Sequence, residues 1–144
     1  MGCRSLTERP ESIHYATFCD SLPSMDGLAV AITGSTSGIG LVAAKTVLSK
    51  GARVIMLNRP SERAEKAVKD VNALAQQAGL VQHVDCDLQS FDSVRAAAKE
   101  VQAVLGGAGL DVLANNAGPR LACVFHLTKC VLAGSTHNSL PRSG

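Results

Sequence analysis

Tryptophan is absent from this 144-residue chain, tyrosine occurs once, and aromatic residues make up only 3% of it. A core with so few rings must be aliphatic. Stacking platforms for single-stranded nucleic acid are excluded too, because they are built from rings. No charge of one sign dominates: 14 basic residues stand against 12 acidic ones, a formal net charge of +2. A nucleic-acid binder would carry a clustered basic surface instead. No run approaches the ~18 apolar residues of a membrane span. The five cysteines lie scattered with no Cys-x-x-Cys pair, and the four histidines form no spaced cluster, so no metal site is expected. A reduced, cytoplasmic setting fits such a chain.

What is present is 46% hydrophobic residues, enough for one buried core without staples. Residues 28–33 (LAVAIT) form a short apolar run closed by Gly34, the pattern of a strand buried on both faces. A helical period follows over 38–50, with Ile39, Val42, Ala43, Thr46 and Val47 sharing the expected inner face. Residues 52–57 (ARVIML) read as a second buried strand. Pro60 suits the first turn of a second helix, which is expected to run to Gly79 with Glu62–Lys66 and Glu65–Lys69 pairing on its outside. Residues 80–85 are a third strand candidate. Ser90 is placed to cap a third helix with Asp92 in its first turn, and residues 110–114 form a fourth strand. Strand alternating with helix implies right-handed crossovers and a doubly wound parallel sheet of α/β class, with strand order 3-2-1-4. The residues left after the fourth strand do not hold the remaining strands of a six-stranded sheet, so the fold is expected to be truncated there.

The first strand runs into Gly34-Ser35-Thr36-Ser37-Gly38-Ile39-Gly40. Three glycines at the change from strand to helix have separate uses. Gly34 permits a sharp turn, Gly38 a close approach of backbone to phosphate, and Gly40 close packing of helix on strand. The helix N-terminus offers free N–H groups to a pyrophosphate, and Ser35, Thr36 and Ser37 can add hydroxyl donors. This is the context that a dinucleotide fingerprint requires. A P-loop is excluded, because Lys45-Thr46 follows Ala44 rather than glycine. At the end of the second strand, where a carboxylate would bind the ribose hydroxyls of NAD, the chain has Asn58-Arg59. Arg59 can pair with a 2′-phosphate, which favours NADP over NAD. Asp87-Leu88, after the third strand, stands where adenine would lie. Asp87 is either an acceptor for the adenine amino group or a turn and helix-entry residue.

Thr33-Gly34-x-x-x-Gly38-Ile39-Gly40, Asp87-Leu88 and Asn115-Asn116-Ala117-Gly118, in that order and spacing, resemble the short-chain dehydrogenase/reductase family. The run from Asn58-Arg59 to Arg63-Ala64-Glu65-Lys66-Ala67 resembles its retinol-dehydrogenase-like branch. The resemblance covers about residues 26–118. It implies a Rossmann fold and hydride transfer between NADP(H) and a carbonyl or alcohol carbon. Gly34 to Gly40 would contact phosphates and ribose, Asp87 and Leu88 would frame adenine, and Asn115 and Ala117 would line the cleft. Asn116 is expected to brace the sheet.

The family's proton donor is a tyrosine with a lysine four residues on, well downstream of the Asn-Asn-Ala-Gly motif. Here the single tyrosine is Tyr15, with Cys19 at the lysine position. Phe125 and Lys129 copy the spacing, but Phe125 has no proton to give. No catalytic residue is therefore assigned. The expected organisation is a flexible arm over 1–26, a cofactor-binding half-domain over 27–118, and a divergent tail over 119–144. Met1-Gly2-Cys3 departs from an acylation signal at Leu6 and reads as an ordinary start. Truncation, splicing or a faulty gene model would each give such an end. The alternatives to an NADP-dependent oxidoreductase are a non-catalytic module that pairs through its exposed sheet edge with a full-length relative, or a product without function.

Overall fold

A computed structural model of the chain describes residues 14–118. The elements run α1 (Tyr15–Ser21), β1 (Ala29–Thr33), α2 (Gly38–Ser49), β2 (Arg53–Asn58), α3 (Glu62–Asn72), β3 (Val81–Asp85), α4 (Phe91–Leu105) and β4 (Val112–Ala114). The sheet has the expected order β3-β2-β1-β4, and every pairing in it is parallel. Ile32 of β1 sits level with Met56 of β2 on one side and Ala114 of β4 on the other.

The two-residue period of a strand splits the core into two layers. Ala29, Ala31, Ile55, Leu57, Val84 and Cys86 face one way and pack under Val94, Ala97, Val101 and Leu105 of α4. Val30, Ile32, Val54, Met56 and Val81 face the other way, against Ala44 and Leu48 of α2 and Ala67 and Val71 of α3. Both faces of β1 and β2 are covered, which is why LAVAIT and ARVIML carry no polar alternation. Ile32 and Ile55 are shut off from water. Truncating either to Ala would cost about 2–5 kcal/mol.

The helices depart from the sequence expectation in three places. In α2 the buried positions are Gly40, Ala44, Thr46 and Leu48, while Ile39 is 82% exposed and Val42 is exposed as well. The rotation of α2 is set by its glycine rather than by its larger apolar residues. A Cβ on Gly40 would collide with the Asn116 amide and lie 2.5 Å from the Gly34 carbonyl oxygen, so only this face can approach the sheet, and Ile39 and Val42 turn outward.

The second departure is at α3. It starts one residue after Ser61, whose hydroxyl accepts from the Ala64 N–H, so Pro60 precedes the cap instead of lying in the first turn. It ends at Asn72, well before Gly79. Leu74 lies beyond the helix and is exposed. Neither Glu62–Lys66 nor Glu65–Lys69 closes to an ion pair; among the described residues the Lys/Arg–carboxylate pair that closes is Arg95–Asp92. Solvated pairs of that kind hold little energy, so nothing compels them to close.

The third is residues 15–21, read as part of a flexible arm, which form α1. Tyr15 ties this helix to α2 by a hydroxyl–hydroxyl bond to Thr46. A contact across 31 residues of sequence leaves no local pattern to read.

Candidate dinucleotide site

A cleft of about 540 Å³ opens at the C-terminal ends of the strands. This is where a doubly wound sheet binds its ligands, because the crossovers diverge there. Gly34 and Thr36 of the glycine-rich turn line it. So do Asn58 and Arg59 after β2, Asp87 and Leu88 after β3, and Asn116, Ala117 and Gly118 after β4. Three sequence motifs far apart in the chain thus meet at one opening.

The glycine-rich turn is shaped from below. Gly34 has φ +67, and a Cβ there would come within 2.8 Å of the Ala117 Cα. Asn116 donates from its side-chain amide to the carbonyls of Thr33 (3.0 Å) and Gly34 (3.2 Å), the bracing expected of it. The Ala117 N–H donates to the Thr33 hydroxyl at 3.0 Å. Ser35 is fully buried, and its N–H donates to the Asn58 side-chain oxygen at 2.8 Å. The Asn58 amide donates to the Ser35 hydroxyl at 3.1 Å. The Ser35 hydroxyl is therefore spent inside the protein and is not offered to a phosphate, a correction to the sequence reading. Asn58, itself buried, clamps the turn to β2 while it edges the cleft. A buried polar pair of this kind costs roughly 1–3 kcal/mol when one partner is removed.

Gly38 has φ +57, and a Cβ there would meet nothing within 4 Å. Ser37 caps α2 with extended backbone but makes no side-chain cap bond, and the first turn holds no acidic residue. The first N–H groups of α2 thus keep their donors and their positive dipole end uncompensated by the chain. Ser37 to Gly40 stand beside the cleft rather than on its wall, Ile39 points into solvent, and Asn115 is exposed off the wall. The donor set suits an anion, and the groove beside it suits the nucleoside that such an anion carries.

Arg59 reaches the cleft from the β2–α3 connection and Arg63 from the first turn of α3, and neither is ion-paired among the described residues. Arg63 and Ser61 were not assigned from sequence. The available signal was a second arginine in the first turn of the helix that follows Arg59. Asp87 accepts from the Gln89 N–H at 3.0 Å through one carboxylate oxygen, and its own N–H donates to the Ser93 hydroxyl at 2.9 Å. It is thus a turn residue that also faces the cleft. Phe91, Gln89 and Val94 complete that wall. Burial, and then the Asp87 carboxylate, push the Cys86 thiol above its ordinary value, as for a small buried hydrophobe. Tyr15 is not on the cleft. The Thr46 hydroxyl pulls its pKa down, but burial and neighbouring Cys19 outweigh that and leave it raised above 10.0, the wrong direction for a proton donor at neutral pH.

The family model for the short chain dehydrogenase matches residues 28–130. The chain belongs to the short-chain dehydrogenase family. An uncharacterized oxidoreductase of Mycobacterium bovis is 37% identical over 95 residues, which are 66% of this chain and 27% of that protein. A short-chain type dehydrogenase/reductase structure from Mycobacterium ulcerans superposes with TM-score 0.60 at 27% identity, covering 67% of this chain and 34% of that one. The L-sorbose reductase of Gluconobacter frateurii, solved with NADPH and L-sorbose, gives TM-score 0.57 at 31% identity, over 67% and 35% of the two chains. The chain spans about a quarter of the length of the first curated relatives it matches. The family is one of oxidoreductases that bind a nicotinamide dinucleotide, and among the described residues no helix is long and apolar enough to cross a membrane.

Proposed function

We propose that the cleft binds NADP(H), with NAD the weaker ligand, and that the chain derives from an oxidoreductase acting on a carbonyl or alcohol carbon. The observation that carries this reading is Arg59, placed on the cleft just after β2, where the sequence has Asn58-Arg59 instead of a carboxylate, with no ion-pair partner among the described residues. An Asp or Glu there would repel a 2′-phosphate, whereas a guanidinium can grip it with two bonds. The N–H groups at the start of α2 hold the pyrophosphate across Gly38. Thr36 and Ser37 add hydroxyls. Leu88 and the second carboxylate oxygen of Asp87 meet the adenine, and Asn115 and Ala117 border the nicotinamide side. When bound, the nicotinamide supplies or accepts the hydride. The proton is another matter: the sequence contains no Tyr-x-x-x-Lys pair. Residues 1–144 therefore hold the cofactor without turning it over.

The test is a titration of the full chain with NADPH and with NADH, followed by nucleotide fluorescence. Saturable binding that prefers NADPH, and loses that preference in Arg59→Asp, is expected. Equal affinities that ignore Arg59→Asp would overturn the 2′-phosphate assignment. Carbonyl reduction by the purified chain would overturn the claim that it does not turn over.

A second reading rests on β4. No strand pairs with its outer edge among the described residues, and Val112 on it is exposed. On this reading the chain is a cytoplasmic, non-catalytic module that pairs through that edge with a full-length relative. Co-expression with such a relative, followed by size-exclusion chromatography, decides it. Separate elution removes the reading.

A further inference from the structure

The cleft has one aromatic side chain on its wall among the described residues, Phe91. It is the first residue of α4 and is 50% exposed, in a chain that otherwise has few rings to spare. The structure around it is fixed by a closed set of bonds. The Asp87 N–H donates to the Ser93 hydroxyl at 2.9 Å, and the Ser90 N–H to the Asp87 carbonyl at 3.0 Å. The Ser93 N–H donates to the Ser90 hydroxyl at 3.3 Å. The turn that carries Asp87 and Leu88 and the first turn of α4 are thus one unit, so Phe91 cannot drift independently of them. Arg95, one turn on, holds its guanidinium carbon 5.9 Å from the centre of the Phe91 ring and donates to the Asp92 carboxylate at 3.0 Å. A cation over one face of a ring steadies the ring and leaves its other surfaces for a ligand.

We propose that Phe91 is a stacking wall for the adenine base of the dinucleotide, with Arg95 as the residue that positions its ring; this rests on the cofactor reading above. A purine is a flat apolar surface with a polar edge. The Phe91 ring and the Leu88 side chain offer the apolar contact, and Asp87 on the same wall offers an acceptor for the edge. A half-exposed ring on a cleft wall loses its contact with water when a base covers it.

The experiment is calorimetric titration of the full chain with NADPH, adenosine 2′,5′-bisphosphate and reduced nicotinamide mononucleotide. Phe91→Ala is expected to weaken the first two roughly ten-fold, the usual size of a base–aromatic stack, and to leave the mononucleotide unchanged. Phe91→Tyr keeps wild-type affinity. Phe91→Leu, which retains an apolar side chain but no ring, binds as weakly as Phe91→Ala. Arg95→Met weakens the adenosine ligand by a smaller factor, and Arg95→Lys restores it. If Phe91→Leu binds like wild type, or Phe91→Ala weakens all three ligands alike, the stacking role is overturned. If the wild-type chain takes none of the three, the cofactor reading itself falls. The Tyr and Leu variants carry the test should Phe91→Ala fail to fold.

Discussion

α2 and α4 begin at the same end of the sheet, each after a strand and a short turn, and they finish their N-termini in opposite ways. Ser90 caps α4 through its hydroxyl, and Asp92 sits in the first turn. Ser37 before α2 makes no side-chain bond, and no acid follows it. α3 sides with α4: Ser61 caps it, and Glu62 and Glu65 fill its first turn. A helix end that only has to be stable uses its own residues to satisfy its N–H groups and its dipole. The end of α2 leaves both unsatisfied. Its sequence is given over to glycines that bring helix, sheet and Asn116 together.

The comparison breaks most severely at Gly40. Gly40→Val is expected to cost about 3 kcal/mol from overpacking, read as a lower midpoint of urea unfolding, because its Cβ has the Asn116 amide and the Gly34 carbonyl in its way. Gly38→Asp gives α2 the acidic first turn of α4 in open space. The φ of +57 costs an Asp backbone about 1 kcal/mol, so the unfolding midpoint should fall modestly while NADPH affinity falls more than about ten-fold by repulsion between carboxylate and phosphate. Unchanged affinity would remove the phosphate from that helix end.

Smaller effects sharpen the contrast. Ser90→Ala is expected to cost about 1 kcal/mol, the ordinary loss of a cap, whereas Ser37→Ala stays within about 0.5 kcal/mol. Equal losses in urea unfolding would mean that both helices are capped alike. Least of all is the effect of Cys86. Its folded thiol is raised above 9.0 by burial and the Asp87 carboxylate. Its contribution is then complete below the unfolded thiol's pKa and is lost as pH climbs through the folded one. Cys86→Ala should flatten that alkaline decline in thermal stability without altering the neutral plateau's shape.

Much of the fold is legible in the amino-acid sequence. LAVAIT and ARVIML announce strands covered on both faces, and Ser90 with Asp92 announces a helix start, because these depend on neighbours in sequence. The meeting of Gly34, Asp87 and Asn116 at one cleft follows from their places just after β1, β3 and β4 of a parallel sheet. The outward turn of Ile39 and Val42 is not legible, since apolar spacing alone chooses the wrong face. Nor is the burial of Ser35, which is decided by an asparagine 23 residues away. Arg63 and Phe91 look like ordinary helix residues until the strands bring their helix ends to the same opening.

The sequence by itself determined the alternation of strand and helix, the parallel order of the sheet and the position of the glycine-rich turn. Each of these is written in periods of two and 3.6 residues and in the backbone freedom of glycine. Only the tertiary structure decided which hydroxyls remain free, how α2 is rotated and that Arg63 and Phe91 join the cleft, because those outcomes depend on contacts between residues that the sequence keeps far apart.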